Sequence, residues 1–291
     1  GIGILWALLD KDRQFLHDVS LICVDTRHPD QAWWAIERCN ESTAFASTDF
    51  FCPSGWTPPA AASTSSANVV LHPIAPIRGI EDYNRFMLRG LADYVRTSHA
   101  LVMQWDGFLN KPGYWSQDFL KWDYIGAPWY SGKSPSTVGN GGFSLRSRRL
   151  LDALATMNHS YRVPEDVTIC INLRPELESR FGIRFAPLEV AQNFACEYGP
   201  YRPAFGFHGM HNFAHVLNTD ELGRWLDAAP PEILQSQPAR KLVKALMKSG
   251  HTSASLDLIK RRSKISGWTR DQCMLFFRAW AWYAITRKQR L

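Results

Sequence analysis

The sequence predicts an α/β fold in which helices flank a mostly parallel central sheet, followed by a small C-terminal helical bundle. Short β-prone apolar runs alternate with segments of helical periodicity over most of the chain. From Pro231 onward, helical patterns continue without any strand pattern. With 291 residues, of which 45% are hydrophobic and 21% charged, the chain has the composition of a globular protein with a sizeable core.

The predicted elements follow in the order strand, helix, strand, strand, helix, strand, which is typical of a nucleotide-binding sheet. Residues 19–24 form a continuous β-prone run, the first expected buried strand. Pro29 stands where a helix can begin, and the helical pattern continues to Cys39. On the same grounds we expect strands at 45–51, 68–71, 100–103, 143–146 and 182–186, and helices at 80–97, 148–157 and 166–180.

The net charge of +6 is unevenly distributed along the chain. From Pro231 onward there are 13 Lys and Arg against 3 Asp and Glu, whereas the preceding body holds 20 against 24. The sequence therefore predicts a sheet-containing domain over residues 1–230 and a basic helical appendage over 231–291. Aromatic residues repeat at helical spacing in the appendage, so it either packs onto the body or lies on an anionic membrane surface. Nucleic-acid binding is disfavoured, because the aromatic stripe is not interleaved with the charge.

The cysteines and the hydropathy bear on the cellular location. Six cysteines are scattered without a CxxC pair, which predicts reduced thiols in a cytoplasmic protein. No run of about 18 apolar residues is present, so we expect no membrane span. Peripheral contact of the basic C-terminal helices with the inner face of the membrane is compatible with this location.

Asp106 is the first candidate site residue. It follows the apolar run 100–103 and precedes Gly107, an arrangement that presents an acid at the carboxyl edge of a sheet. Carboxylates in such positions commonly hold a divalent cation that neutralises a leaving diphosphate. The turn Gln104-Trp105-Asp106-Gly107 carries one acid rather than an Asp-x-Asp pair, and an aspartate that caps a turn is the alternative.

A glycine-rich segment, residues 139–142, follows some way after this turn. Glycine has no Cβ, so the backbone of this segment can approach a ligand closely. The candidate substrate-binding residues are Trp129, Asn140, Gly141, Gly142 and Arg146. The structural alternative is a hairpin turn that leads to a surface arginine, with Trp129 packed against Pro128.

Two acids, Glu165 and Asp166, follow Pro164 where a helix is expected to begin. Acids at a helix start are favoured by the helix dipole and by capping, so a structural role is one interpretation. The functional interpretation is general-base catalysis, in which a carboxylate takes the proton of an attacking hydroxyl. We assign Asp166 as the base and Glu165 as an acceptor ligand or helper, although the sequence does not fix their order.

His208 and the end of the first strand complete the set of candidates. His208 stands between aromatic residues and glycines, where an imidazole can bind a metal ion or a diphosphate, or be a core histidine. Residues after a first strand often contact the base, ribose and phosphate of a nucleotide, or cap the turn before the next helix. The predicted cofactor-binding residues are Asp25, Thr26, Arg27, Asp106 and Gly107, and the predicted metal ligands are Asp106 and His208.

Six motifs, taken in order, resemble the glycosyltransferases of the GT-A type. More closely, they resemble an uncharacterised bacterial and fungal domain family thought to be glycosyltransferase-like. The motifs are TSHALVMQWDGF, WDYIGAPW, VGNGGFSLRS, PEDVTIC, GIRFAP and FGFHG. Only their combination is specific, and it extends over roughly residues 19–213. The helical tail after Pro231 lies outside the resemblance.

The resemblance implies a Rossmann-like GT-A domain that holds a nucleotide-sugar donor at its strand ends, commonly with Mn²⁺ or Mg²⁺. Asp106 matches the position of the acidic donor-site motif, and the single acid there departs from the family pattern. The other matches are Gly141-Gly142-Phe143 with the acceptor loop, Glu165-Asp166 with the catalytic acid pair and His208 with the late histidine ligand.

The expected function is therefore transfer of a sugar from a nucleotide-diphosphate donor, with UDP among the options, onto a saccharide or a lipid-linked saccharide. Bacterial surface-polysaccharide synthesis is the expected setting. A glycoside hydrolase using Asp106 with Glu165 or Asp166 is one alternative. A non-catalytic carbohydrate-binding module is the other. A hydrolase needs no nucleotide, and a binding module would tolerate loss of all three acids.

Overall fold

A computed structural model of the protein describes residues 13–60, 67–131 and 134–288. The chain divides into two compact units, residues 1–208 and 209–291. The second unit contains the whole of the predicted appendage, 231–291, together with residues 209–230.

Strands of the first unit build one large sheet and two small ones. They are β1 (Gln14–Val24), β2 (Thr43–Pro53), β3 (Val69–Ile74), β4 (His99–Met103), β5 (Tyr124–Gly126), β6 (Pro128–Ser131), β7 (Ser134–Val138), β8 (Ser144–Ser147), β9 (Ala195–Cys196) and β10 (Gly206–Phe207). The large sheet has the order β3-β2-β1-β4-β8-β5. Strands β1 to β4 are parallel, and β8 is antiparallel to both β4 and β5.

The helices of the first unit flank this sheet. They are α1 (Pro29–Ser42), α2 (Ile80–Arg85), α3 (Arg148–Thr156), α4 (Glu165–Val167), α5 (Arg174–Phe181) and α6 (Leu188–Phe194). The prediction of a mixed α/β fold with a mostly parallel central sheet flanked by helices is thus confirmed. The helix predicted at 166–180 is in fact interrupted. Pro175 lies in the first turn of α5, where its missing N–H is tolerated. It could not lie inside one continuous helix, because it has no N–H to donate to the preceding turn.

Successive side chains of a strand point to opposite faces of the sheet. Helical segments cover both of these faces. On one face Ile22, Phe51 and Val102 pack with Met87 and Leu91, which lie in helical turns that continue α2. The other face packs against α1. The contacts with α1 include Trp33 with Phe50, at 6.4 Å between ring centroids, and Cys39 Sγ with Met103 Sδ, at 3.8 Å.

Two local features differ from the sequence-based expectation. The predicted strand at 182–186 is wrong, because only Phe185 forms a β-bridge, to Tyr124. The hairpin β6–β7 was not predicted, since its strands are short and interrupted by proline and glycine. It follows β5 and precedes the glycine-rich segment, which it therefore positions beside the sheet.

The order of the strands places the candidate site. β1 is followed by α1 and β2 on one side, whereas β4 lies on the other side of β1. Ligands of open α/β sheets bind at such a switch point, outside the carboxyl ends of the strands. Here β1 ends before Asp25 and β4 ends before Gln104, so both candidate segments emerge at this switch point.

The described part of the second unit is helical. Its helices are α7 (Phe213–Val216), α8 (Thr219–Ala228), α9 (Pro231–Gln235), α10 (Gln237–Lys248), α11 (Thr252–Ser266) and α12 (Arg270–Lys288). Helices α10 to α12 lie within the predicted helical appendage 231–291, and their buried residues include Leu242, Leu258 and Leu275. Across the described ranges, no helix is both long and apolar enough to cross a membrane. All six cysteines are free thiols.

Candidate functional site

The turn after β4 points Gln104 and Asp106 at the same imidazole. Reciprocal backbone hydrogen bonds of 3.0 Å between Gln104 and Gly107 close the turn. Gln104 Oε1 lies 3.2 Å from His208 Nε2, and Asp106 Oδ1 lies 3.4 Å from the same nitrogen. Asp106 and His208, predicted as partners from motifs about a hundred residues apart, are therefore neighbours.

Glu197 lies on the opposite side of the His208 ring. In the small parallel sheet Phe207 pairs with Cys196, so the residues that follow them, His208 and Glu197, come side by side. Glu197 Oε1 is 3.1 Å from His208 Nδ1. Burial lowers the pKa of His208, but the carboxylates of Asp106 and Glu197 outweigh it and raise the pKa well above its ordinary value.

Asn140 joins the glycine-rich segment to this pair. Its side-chain amide donates to Glu197 Oε2 and lies 3.2 Å from His208 Nδ1. The residue has a φ of +51°, in the left-handed region that asparagine tolerates better than most side chains. Asn140, predicted to bind substrate, thus helps to hold His208 and Glu197.

The glycines of this segment make room for protein side chains. A Cβ on Gly142 would come within 2.2–2.5 Å of three atoms of the His208 ring, and one on Gly107 within 2.7 Å. A Cβ on Gly141 would lie 2.0 Å from Glu165 Oε1. These glycines therefore allow a close approach to their backbone, as expected. The groups that approach Gly142 and Gly141 are the protein's own His208 and Glu165 side chains.

Glu165 and Arg146 form a buried ion pair beneath Gly141. Arg146 Nη2 lies 2.7 Å from Glu165 Oε1, and the two side chains are 0% and 7% exposed. The alternative interpretation of Arg146 as a surface arginine is therefore wrong. Burial lowers the pKa of Arg146, but the nearby negative charges, above all that of Glu165, outweigh burial and raise the pKa of Arg146. This geometry favours a positioning role for both residues.

Asp166 lies at the other side of the same backbone segment. Its Oδ2 accepts a 3.0 Å hydrogen bond from the Gly141 N–H, and the side chain is half-buried. The corner before it is held by fully buried Asn84, whose Oδ1 accepts from the Glu165 N–H at 3.1 Å. The Asn84 amide also donates to the carbonyls of Tyr161 and Val163, at 2.6 and 2.7 Å.

Tyr198 follows Glu197 in the chain, and the charges of several carboxylates affect its pKa. The charge of Glu197 is the main cause that raises the pKa of Tyr198, followed by burial and a hydrogen bond with Glu197. The carboxylates of Asp106 and Asp166 raise it further. Tyr198 itself is 43% exposed. The two aspartates are linked through the glycine-rich segment, because Gly141 donates to Asp166 and Gly142 packs on the His208 ring that Asp106 contacts.

A cavity of about 260 Å³ lies at the carboxyl ends of β1 and β4. Its lining includes Asp25, Thr26, Arg27, His28, Tyr83, Gln104 and Trp105. Asp25 Oδ1 accepts from the backbone N–H groups of Arg27 and His28, both at 2.7 Å, and Thr26 Oγ1 accepts from Ile77 N at 2.8 Å. Three of the predicted nucleotide-binding residues, Asp25, Thr26 and Arg27, thus line this cavity, whereas Asp106 and Gly107 are not among its lining residues. Asp25 and Thr26 also fix the loops of the cavity.

Trp129 packs on the start of the glycine-rich segment. Its half-buried ring packs on the backbone of Gly139, where a Cβ would come within 2.3 Å of the ring. The neighbouring Tyr130 hydroxyl accepts from Arg202 Nη2 at 3.3 Å. A stacking role for Trp129 toward an acceptor sugar stays a prediction.

Three atoms could hold a divalent cation. No group of three or more His, Cys, Asp or Glu in the described residues is arranged as a metal site. Gln104 Oε1, Asp106 Oδ1 and His208 Nε2 nevertheless converge, with the two oxygens 3.2 and 3.4 Å from the nitrogen. Bonds of about 2.1 Å to Mg²⁺ place neighbouring ligands about 3 Å apart, and amide and carboxylate oxygens suit Mg²⁺ and Mn²⁺. The residues present therefore fit such a cation when it replaces the proton on His208 Nε2.

Several of these contacts had no signal in the sequence. Glu197, Tyr198 and Asn84 lie outside the motifs, and only the pairing of β9 with β10 brings Glu197 to His208. Gln104 lies in the first motif, but the search for charged ligands does not select it, because it carries no charge. A glutamine two positions before the acid could have been recognised as a second oxygen ligand.

Comparison with known proteins adds one relationship. The chain is similar, over residues 66–208, to a family described as Protein of unknown function (DUF5672). The matched segment is a little under half of the chain, and it contains Asp106, Asp166, Glu197 and His208 but not Asp25. No curated protein matches the chain.

Proposed function

We propose that this protein is a GT-A-type glycosyltransferase that moves a sugar from a nucleotide-diphosphate donor onto a saccharide or lipid-linked saccharide. The observation that carries the proposal is the convergence of Asp106 and Asp166. They are distant in the sequence, yet Asp166 accepts from the Gly141 N–H, and the adjacent Gly142 packs against the His208 ring that Asp106 contacts. Sugar transfer needs two functions at one place, neutralisation of the leaving diphosphate and activation of the acceptor hydroxyl.

The cavity next to Asp106 supports a donor site for the nucleotide. It lies at the switch point of the parallel sheet, where nucleotides bind in open α/β folds. Trp105, Tyr83 and His28 offer ring faces for a base, and Arg27 offers a cation for phosphate. Because the cavity is bordered by the turn of Asp106, a diphosphate leaving it would meet Gln104 and Asp106.

Mn²⁺ or Mg²⁺, held by Gln104, Asp106 and His208, would neutralise the charge of the leaving diphosphate. Glu197 accepts from His208 Nδ1, which keeps Nε2 directed toward the two oxygens. A carboxylate behind a metal-binding histidine orients the ring and raises its basicity. Gln104, Asp106 and His208 would thus be the cation's ligands, and Glu197 would orient the histidine.

Asp166 is positioned to act as the base. In an inverting reaction, the acceptor oxygen bonds to the anomeric carbon while the bond from that carbon to the diphosphate oxygen breaks. The hydroxyl proton passes to Asp166, and the diphosphate leaves with the electron pair. The Gly141 N–H and the Arg146–Glu165 pair behind it hold Asp166 in place. In a retaining reaction, the same groups would position the acceptor.

The test is release of nucleoside diphosphate from a panel of nucleotide sugars, with saccharide acceptors and Mn²⁺. We expect one donor to be turned over, and Asp106→Asn and Asp166→Asn to reduce the rate by about a hundredfold or more. Asp152→Asn, at an exposed acid of α3, is the matched control. Unchanged transfer in both site variants would refute the proposal. Cleavage of glycosides without any nucleotide would favour a hydrolase instead.

A further inference from the structure

The last helix of the second unit leaves a broad apolar side exposed. Leu275 and Ala279 of α12 are buried, whereas Met274, Phe277, Trp280 and Trp282 are between 47% and 68% exposed. At 100° per residue Met274, Phe277 and Trp280 lie on the side of the helix opposite the buried residues, whereas Trp282 lies next to Leu275. Clusters of large exposed apolar side chains mark interaction sites.

The same side of α12 is cationic. Arg278 lies among the exposed aromatic residues, and the segment 274–282 contains no acid. Asp257 of α11 and Asp271 of α12 are each bound by an arginine, Arg261 at 2.7 Å and Arg240 at 2.5 Å. The acids of these two helices are thus already engaged away from Arg278, and the exposed side keeps a positive charge.

A groove of about 470 Å³ continues this surface between α10 and α12. Apolar groups contributed by Met247, Leu275 and Trp282 line it together with the cations Lys244, Lys248 and Arg278. No acid is among its lining residues. Long Lys and Arg side chains cover apolar surface with their stems and extend their charges to a polar boundary.

We propose that this face, formed by the exposed side of α12 and the groove beside α10, binds the surface of an anionic phospholipid membrane. Aromatic and aliphatic groups would enter the boundary between headgroups and acyl chains, and Lys244, Lys248 and Arg278 would lie at the phosphates. A symmetric contact with a second copy would bring these cations against each other, which opposes self-association. A nucleic acid would leave the aliphatic groups unused.

The test is vesicle flotation of the full chain. We expect binding to vesicles with about one third phosphatidylglycerol, little binding to phosphatidylcholine alone, and release by high salt. Arg278→Gln should weaken binding about fivefold. The double variant Phe277→Ser/Trp280→Ser should weaken it about tenfold or more. Matched controls in the first unit, Lys121→Gln and Tyr114→Ser, should bind like the unaltered protein.

Two results would overturn the proposal. One is that the protein binds both vesicle types equally or binds neither. Binding to anionic vesicles that the α12 variants leave unchanged counts as the same result. The other is a dimer in sedimentation that Phe277→Ser/Trp280→Ser dissociates, which would assign the face to a second copy. Nucleotide binding by the same variants is measured in parallel, because it reports on the first unit. Loss of vesicle binding with intact nucleotide binding separates this proposal from the proposed function.

Discussion

Glu197 Oε1 lies 3.1 Å from Nδ1 of His208 and turns the other ring nitrogen toward Asp106. A carboxylate accepts and cannot donate, so Nδ1 carries the proton that it shares with Glu197, and a cation at Nε2 would have to displace the proton that Nε2 directs at Asp106. The orientation of His208 is therefore set by a residue that no motif contains. Its consequences can be measured without knowing the substrate.

Glu197→Gln should weaken the binding of Mn²⁺ in the presence of nucleoside diphosphate by about 10- to 100-fold. The amide keeps the size of the carboxylate but loses the charge that fixes the ring. Calorimetry or the electron paramagnetic resonance signal of Mn²⁺ measures the affinity. The exposed Glu189 provides a matched control, Glu189→Gln, which should bind normally. Equal affinities of the two variants would rule out the positioning role.

Breaking the Arg146–Glu165 pair should destabilise the fold strongly. Arg146→Met or Glu165→Leu leaves one buried charge without its partner, at a cost of about 3–5 kcal/mol in unfolding free energy. The double variant should cost less than the sum, because both charges are then removed. Urea unfolding measures each value. Breaking the exposed pair Arg180–Glu176 with Glu176→Gln should cost at most about 1 kcal/mol. Equal effects of the buried and exposed pairs would contradict this prediction.

Gly142→Ala should displace His208, because its Cβ would stand 2.2 Å from Nε2. We expect a loss of Mn²⁺ binding and about 1–3 kcal/mol of stability, since an extra methyl group in a packed site forces neighbours to shift. Gly113→Ala is the control, because a Cβ there meets no atom within 4 Å. Unchanged Mn²⁺ binding by Gly142→Ala would show that the ring position is not critical.

Asp123 should stabilise the fold in a pH-dependent way. Burial raises its pKa, but hydrogen bonds from Arg149, Ser147 and the Arg184 N–H outweigh burial and leave the pKa below its ordinary value. The unfolded pKa is about 3.9, so this stabilisation is complete above about pH 4 and is lost as the pH falls further, through the native pKa.

Asp123→Asn should therefore cost about 1–3 kcal/mol near neutral pH. The difference from the unaltered protein should narrow as the pH falls below about 4. Urea unfolding at several pH values measures this, with Asp118→Asn at an exposed ion pair as the control. A difference that stays constant down to about pH 3 would contradict the linkage.

The sequence predicted the fold where periodicity is local. The runs that became β1, β2 and β4 are apolar and β-prone, and Pro29 marks the start of α1, so each could be assigned from its own residues. Residues 182–186 have the same β-prone character, but only Phe185 pairs. Pairing depends on the partner strand, which local propensity does not contain.

The site was predictable only in part, for a related reason. Asp106, Asp166 and His208 could be selected because strand ends, helix starts and glycine-flanked positions have recognisable patterns. Glu197 reaches His208 through the register of a two-residue sheet, and Arg146 is buried by Glu165 and Tyr124. These contacts are long-range, so the sequence does not show that Arg146 is buried against Glu165 and not a surface residue.

The proposed function requires that Asp106 and Asp166 border one site for a nucleoside diphosphate. The most direct measurement is the melting temperature with each nucleoside diphosphate, with and without Mn²⁺, for the unaltered protein and for Asp106→Asn. We predict that one nucleoside diphosphate at a hundred times its Kd raises the melting temperature by about 5–10 °C. Mn²⁺ should strengthen the effect, and Asp106→Asn should abolish the Mn²⁺-dependent part. No stabilisation by any nucleoside diphosphate, with or without Mn²⁺, would contradict the claim.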